Sequence, residues 1–374
     1  MDFNFSVEQR ILKDAARNFL EAECPSDLVR QMEKDESGFP HEIWNKMAKL
    51  GWMGLMLPEE YGGIDWGVLD FVVLMEEVGR ACLPAPYLST VIGALGILDA
   101  GSSAQKSAIL PSLVGGEEIL TLAYLEPGNT KYDPTYVTTV AEQHSDGFIL
   151  HGIKLFVTDA HVASRLLLTA RTSGPTRSSS GISLFLVPAD VVGLTRTGLK
   201  TIAGDKQFEV VLNGVHLPQE ALLGSLDEGW PILVRVLKLA AVAKCAEMVG
   251  GAEKVMDMTV NYAKEREQFG SVIGQFQAVQ HHCANMLMYV EGSRYVTYKA
   301  AWLLGEHKPC DLIIASAKAW VSDAYRRVVG IGHQIGAGTA YMEEHDMTLY
   351  SRRAKAAELA YGDPSYHLEL VASA

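Results

Sequence analysis

Arg266-Glu267-Gln268-Phe269-Gly270, with Ile273-Gly274-Gln275-Phe276-Gln277 just beyond it, ends a long helical run and is too particular in composition to be filler. An arginine grips a pyrophosphate through two parallel charged hydrogen bonds, a glutamine offers paired donor and acceptor atoms to adenine or ribose, and a phenylalanine covers a ring. Together they read as one end of a dinucleotide site. Taken alone, the pentapeptide also fits a more ordinary description. Glu265, Arg266 and Glu267 would be solvated at a helix terminus, Phe269 would lie in the core and Gly270 would stop the helix. The surrounding chain has to decide between the two.

Upstream, Ile232, Val236, Leu239, Ala243, Met248, Val255 and Met258 recur at helical spacing from Pro231 to Tyr262. Downstream, a second helix carries Phe276, Val279, Gln280, Cys283, Met286 and Met288, a third runs from about Leu312 to Val329, and a fourth covers Met347 to Leu359. This is four-helix bundle material.

Before it the period is different. Val137, Thr139 and Ala141 alternate with Thr138 and Val140. Runs at Phe148–Leu150, Lys154–Thr158, Leu166–Ala170, Ile182–Val187 and Phe208–Leu212 follow, punctuated by turns such as Ser145-Asp146-Gly147. Short β-branched and aromatic runs of this kind predict a compact antiparallel sheet, with the Ser/Gly/Thr-rich Thr172–Gly181 as its most mobile connection.

The first 120 residues read as helices. Ser6-Val7-Glu8-Gln9 has the form of a capping box, Pro40 suits a first helical turn, and Leu69–Gly79, Tyr87–Ala100 and Ala104–Leu113 continue the pattern. Pro58-Glu59-Glu60-Tyr61-Gly62-Gly63 interrupts it as a fixed turn. The expected architecture is mainly α with a central β domain: an N-terminal helical domain over residues 1–120, an antiparallel β domain over 121–224 and a C-terminal four-helix bundle over 225–374.

The formal charge of −13 argues against a nucleic-acid partner, so an anionic ligand needs a local cluster of positive charge or helix N-termini. Cys24, Cys82, Cys245, Cys283 and Cys310 form no C-x-x-C pair and read as reduced, packed thiols. Met1-Asp2-Phe3-Asn4-Phe5 lacks the basic start of a signal peptide, and Arg235, Lys238, Lys244 and Glu247 break the most apolar run. A cytoplasmic protein without a membrane span is expected. His281 and His282 point in different directions from a helix and have no carboxylate or thiolate set around them, so no metal site is expected.

Four ordered motifs within this three-part plan carry a family resemblance. They are Pro58–Gly63, the segment from Glu126-Pro127-Gly128 through Asp146–Lys154, Arg266–Gly270 with Phe276-Gln277, and Gln334-Ile335-Gly336-Ala337-Gly338. Along its whole length the chain resembles the acyl-CoA dehydrogenases. Within them it is most similar to small subunits of the pimeloyl-CoA dehydrogenase type and to the partner subunits of heteromeric steroid side-chain enzymes. Gly362-Asp363 followed by His367-Leu368, and Leu122-Ala123-Tyr124 before Glu126, carry that finer likeness.

The resemblance implies FAD at a subunit interface, an acyl-CoA thioester against the flavin, α,β-dehydrogenation of the kind used in β-oxidation, and electron-transfer flavoprotein as acceptor. It also implies a homo- or hetero-tetramer with another acyl-CoA dehydrogenase subunit. Arg266, Gln268 and Phe269 match positions that reach the ADP half of a neighbour's FAD, and Gln334 and Gly338 match a loop serving the same half, with Ala337 where the family usually has glycine. On the flavin side Leu125 replaces a threonine, Thr130 and Lys131 replace a glycine-serine pair, and Phe156-Val157-Thr158 replaces tryptophan-isoleucine-threonine. Phe156 keeps an aromatic plane and Thr158 a hydroxyl.

The base is the largest departure. Counted without gaps from Gln334, the family's catalytic glutamate falls on Tyr361, and the alternative position on the long helix falls within Leu239-Ala240-Ala241-Val242. A phenol near its normal pKa is a poor base at neutral pH. Asp363 is the nearest carboxylate, though beside Gly362 and Pro364 it also has the form of a turn or cap residue, and Glu247 is better explained as a partner of Lys244 or Arg235. Two functions are implied: an FAD-dependent dehydrogenase of a dicarboxylic, alicyclic or bulky acyl-CoA, or a non-catalytic partner completing another chain's FAD site.

Overall fold

A computed structural model describes residues 5–374, and the reading of Met1 to Asn4 lies outside them. In chain order the helices α1 (Val7–Glu23), α2 (Ser26–Lys34), α3 (His41–Lys49), α4 (Val68–Arg80), α5 (Tyr87–Ala100) and α6 (Ser103–Val114) come first. Strands β1 (Leu120–Ala123), β2 (Val140–His144), β3 (Gly147–Thr158), β4 (Arg165–Arg171), β5 (Ile182–Pro188), β6 (Leu194–Leu199), β7 (Gln207–Pro218) and β8 (Leu222–Leu223) follow. The chain then forms α7 (Gly229–Glu265), β9 (Glu267–Gln268), β10 (Ser271–Val272), α8 (Gln277–Gly305), α9 (Asp311–Gly336), α10 (Asp346–Leu359) and α11 (Pro364–Ala372).

Two compact units result. One comprises Gln31–Trp66 and Pro84–Ala240 and contains the sheet, ordered β6-β7-β3-β2-β4-β5-β8. Its strands form because β-branched and aromatic residues alternate or run continuously into a two-sided core. Phe148 and Phe185 meet there edge to face at 5.0 Å, among buried Leu150, Leu168, Val187 and Val210. Each such side chain removed from water contributes roughly 1.5–3 kcal/mol.

The antiparallel expectation holds for most ladders, but β1 runs parallel to β4, and Val140 of β2 pairs with Arg171 of β4 in parallel. A four-residue strand pairing at long range leaves no local period to read. The runs read separately around residues 148 and 154 are one strand, β3, interrupted by irregularities between Leu150 and His151 and between Lys154 and Val157. Val137–Thr139 precede β2 rather than forming a strand.

Thr172–Gly181 is also more constrained than its composition suggests. The Arg171 guanidinium donates to the carbonyls of Thr176, Ser178 and Ser180 within it and to those of Thr135 and Val137 beside it. One buried cation thus satisfies the carbonyls that would otherwise need water.

The other unit comprises Met1–Arg30, Gly67–Leu83 and Ala241–Ala374. The capping box at α1 forms as expected, with Ser6 Oγ accepting from the Gln9 amide and Gln9 Oε1 from the Ser6 amide, both at 3.1 Å. α1 is fixed to α4 by Lys13–Glu76 at 2.8 Å and Arg17–Glu77 at 2.8 Å, and Arg294 of α8 reaches Glu76 and Glu253. Glu76 is buried. Burial works against its charge, but Arg294 and Lys13 outweigh it and hold the carboxyl below the ordinary range. A short α11 follows the bundle helices, beginning at Pro364, where the fixed φ of proline suits a first helical turn.

Candidate functional site

The helix does end at the start of the pentapeptide, with Glu265, Arg266 and Glu267 exposed as the ordinary description has it, but Gly270 does not stop it. α7 ends at Glu265, and β9 and β10 form a two-residue-loop hairpin in which Ser271 faces Gln268 and Val272 faces Glu267. Phe269 and Gly270 occupy the turn with φ of +56° and +78°, the pair of positive angles that a type I′ hairpin turn needs. Phe269 is therefore not in the core: it is 94 % exposed, touching Phe276 edge to face at 6.2 Å. Arg266 and Gln268 are exposed as well, and neither side chain has a hydrogen-bond or ion-pair partner among the described residues.

α9 brings the next pair. Gln334 is exposed on its last turn and likewise has no side-chain partner among the described residues, and Gly338 lies just past the helix end. Between them Ala337 adopts φ +50° and ψ −145°, close to a region that glycine alone occupies easily. A cavity of about 570 Å³ has Tyr262 and Glu265, just ahead of the hairpin, on one side and Gly332 and Gly336, flanking Gln334, on another. The chain neighbours of the two predicted ADP-side segments thus line one cavity, although Arg266, Gln268, Phe269, Gln334 and Gly338 are not themselves among its lining residues.

These groups fit a dinucleotide. A guanidinium and two primary amides, exposed and without intramolecular partners among the described residues, form a donor set suited to a pyrophosphate and to adenine or ribose edges.

The flavin-side residues belong to the sheet-containing unit. Phe156 sits in the second irregularity of β3 with φ +55° and is 55 % exposed, so its ring projects from the sheet. Thr158 is half-buried, and its carbonyl accepts from the Thr121 hydroxyl. Behind them lies a pair that sequence reading quoted without assigning a role: Lys154 and Glu126, both fully buried and in direct contact. Glu126 also accepts from the amides of Thr138 and Thr139, and Lys154 donates to Thr169 Oγ1 at 2.9 Å. Burial alone would raise the Glu126 pKa, but Lys154 and Thr138 hold it below the usual carboxylate value. The Leu155 amide donates to the Leu125 carbonyl at 2.8 Å, tying the Phe156 irregularity to the Leu125–Pro127 segment.

Of the remaining candidates, Tyr361 and Asp363 stand between α10 and α11, whereas Glu247 and Leu239–Val242 lie on α7. Asp363 is the N-cap of α11, one carboxylate oxygen accepting from the Tyr366 amide at 2.8 Å. Glu247 pairs with Lys244 at 2.6 Å. Leu239, Ala240, Ala241 and Val242 are buried. Tyr361 is half-buried in left-handed backbone, φ +56°, and Gly362 follows at φ +95°.

Two residues hold this loop: Lys318, which the sequence did not single out, and His367, quoted above only for the finer likeness. Lys318 of α9 is 0 % exposed and donates to the carbonyls of Gly362 at 2.9 Å and Glu358 at 3.0 Å, and to Ser322 Oγ at 3.2 Å. His367 of α11, 4 % exposed, donates from Nε2 to the Tyr361 carbonyl at 2.9 Å. Burial pushes the Lys318 pKa down to about 8 and that of His367 down to about 4. The available signal was a lysine inside the apolar stripe of Ala315, Ala319 and Val321.

The family descriptions "Acyl-CoA dehydrogenase, N-terminal domain", "middle domain" and "C-terminal domain" match residues 6–117, 121–215 and 227–374. A probable acyl-CoA dehydrogenase of Bacillus subtilis, YngJ, is 31 % identical over 97 % of this chain and 96 % of its own. The chain belongs to the acyl-CoA dehydrogenase family. Butyryl-CoA dehydrogenase of Megasphaera elsdenii superposes with a TM-score of 0.92 at 28 % identity, covering 100 % of this chain and 99 % of that one. A chain of the ChsE4-ChsE5 complex of Mycobacterium tuberculosis superposes at 0.90 with 28 % identity, covering 100 % and 98 %. The fold is that of the family, its cofactor is FAD and its chemistry is dehydrogenation of acyl-CoA thioesters, an oxidation of a CH–CH bond. Among the described residues no helix is long and apolar enough to cross a membrane, and no group of histidine, cysteine and carboxylate side chains could hold a metal ion.

Proposed function

We propose that this chain works in the cytoplasm as the base-lacking subunit of a heteromeric, tetrameric acyl-CoA dehydrogenase of β-oxidation type, completing the FAD site of an unlike partner chain. The observation that carries this reading is the engagement of Asp363 as a helix cap, because the nearest carboxylate to the family's base position already serves the α11 amides. Tyr361 at that position is a phenol, and the alternative position on α7 is apolar and buried. The likeness to a chain of the ChsE4-ChsE5 complex supports a two-chain assembly.

Bound FAD supplies the hydride acceptor for the α,β-dehydrogenation. The residues of this chain bind and orient. Arg266 pairs with the pyrophosphate, Gln268 and Gln334 hydrogen-bond the adenosine, Phe269 covers its ring and Gly338 admits close backbone approach, all toward a neighbour's cofactor. On the flavin side Phe156 presents its ring to the isoalloxazine, and Thr158 lies beside it. The partner chain supplies the carboxylate that takes the α-proton. The likeness to the pimeloyl-CoA and steroid side-chain branch suggests a dicarboxylic, alicyclic or otherwise bulky acyl group, and electron-transfer flavoprotein takes the electrons onward.

The test is a visible spectrum of the purified chain alone and after co-expression with a second acyl-CoA dehydrogenase chain. FAD retained stoichiometrically only in the co-expressed pair, and bleached there by acyl-CoA, is the expected result. A yellow protein that is bleached on its own would overturn the heteromer reading.

A further inference from the structure

The loop from Ala360 to Asp363 is held by three contacts, two of them on the consecutive carbonyls of Tyr361 and Gly362. His367 donates to the Tyr361 carbonyl, Lys318 donates to the Gly362 carbonyl, and the Asp363 side chain closes the following turn on the Tyr366 amide. Both donors are enclosed, so each of these bonds is made away from competing water. Lys318 reaches back to Glu358 as well, and so joins the last turn of α10 to the loop that follows it.

A loop with two successive left-handed residues has little intrinsic reason to hold that shape. Tyr361 at φ +56° is unfavourable for a side chain with a Cβ, and such a conformation persists only where the surroundings over-determine it. The two buried donors are that determination. They act on the main chain of the residue that, by the family resemblance, stands where the base is carried.

We propose that Lys318 and His367 are positioning residues that clamp the 360–363 loop and so fix where the Tyr361 side chain meets the acyl group. The clamp makes Tyr361 a specificity residue: a rigid ring at a fixed point sets the shape of the acyl site, whereas a loop free to relax would admit acyl chains of any shape. This rests on the reading that the loop borders the acyl-CoA site.

The test uses the co-expressed, FAD-loaded complex with Lys318→Met, His367→Leu and His367→Gln in this chain, the last retaining a donor for the Tyr361 carbonyl. Hydrogen exchange of amides 360–366 reads the clamp directly. Perturbation of the flavin spectrum by butyryl-, octanoyl- and cyclohexanecarboxyl-CoA reads the acyl site. FAD content and melting temperature control for general damage.

Lys318→Met and His367→Leu should each speed exchange in the loop by about tenfold or more and change the affinity ratio among the three acyl-CoAs, with FAD content retained. His367→Gln should return both readouts toward wild type. Exchange that is unchanged in both variants, or an altered loop with an unaltered affinity ratio, overturns the proposal. A wild-type complex that binds FAD but none of the three acyl-CoAs instead overturns the acyl-site reading on which it rests.

Discussion

The ring of His367 donates from Nε2 to the Tyr361 carbonyl at 2.9 Å, while its Nδ1 is buried without a partner among the described residues. A second proton would therefore sit on a nitrogen that nothing accepts from, which is why burial lowers the pKa from 6.5 to about 4. Between those values the unfolded chain binds the proton and the folded one does not, so stability falls as pH drops from 6.5 through 4 and the loss is then complete. The full effect is about 3 kcal/mol. His367→Gln should flatten this limb of the stability curve, measured by denaturant unfolding at pH 7, 5.5 and 4.

Lys318 acts on the alkaline side in the same sense. Its folded pKa of about 8 lies below the ordinary 10.5, so over that range the unfolded chain again holds the extra proton. Stability should rise as pH climbs from 8 toward 10.5. Cys245, Lys244, Glu358 and Asp363 are the charged or titratable groups that influence it. Lys318→Met should remove this dependence, checked by melting temperature across pH 7 to 10.

Much of the helical and strand pattern was legible because its causes are local. Ser6 and Gln9 cap each other three residues apart, and Ile182–Val187 is a continuous apolar run, so neither depends on the rest of the chain. β1 was not legible, since its parallel partner β4 lies some forty residues away. The Arg266 segment was legible in chemistry but not in shape: a helix terminus and a hairpin both use Gly270, and only the positive φ of Phe269 separates them. Lys318, and the task of His367, were hidden for a different reason. Their value lies in bonds to backbone carbonyls at 358, 361 and 362, which no side-chain motif announces.

Gly362 cannot be replaced without disturbing the clamp. A Cβ there would lie 2.6 Å from the Tyr366 ring and 2.8 Å from His367 Nε2, at a φ of +95° that side chains avoid. Gly362→Ala should destabilise the protein by about 1–3 kcal/mol. It should also weaken the His367–Tyr361 bond, visible as faster exchange in the same loop.

The buried Lys154–Glu126 pair makes a separate prediction about the flavin side. Removing one partner leaves an uncompensated buried charge, so Lys154→Met or Glu126→Leu alone should cost about 3–5 kcal/mol. The double variant should cost less than the sum, because no charge is then stranded. Denaturant unfolding of the four proteins gives the coupling energy, and additive losses would mean that the two groups do not depend on each other.

Ala337 gives a gain rather than a loss. Its φ +50° and ψ −145° strain any residue with a Cβ, and glycine removes the strain at some entropic cost in the unfolded chain. Ala337→Gly should raise stability by about 1 kcal/mol or less if the loop keeps its shape. An unchanged or lower melting temperature would mean that the surrounding turn already absorbs the strain.

Arg266 separates cofactor binding from folding most cleanly, because within the chain its side chain has no partner to lose among the described residues. A charged hydrogen-bonded contact with a pyrophosphate contributes about 1.5–3 kcal/mol, so Arg266→Ala should weaken FAD binding by about ten- to a hundredfold. Arg266→Lys should recover part of that, since an ammonium keeps the charge but not the planar two-point grip. The melting temperature of the FAD-free chain should be the same in all three proteins. In a mixed complex, the loss must appear in the flavin held by the partner chain, read as FAD released on dilution. An equal loss of apo stability would instead mark the arginine as a structural element of the hairpin.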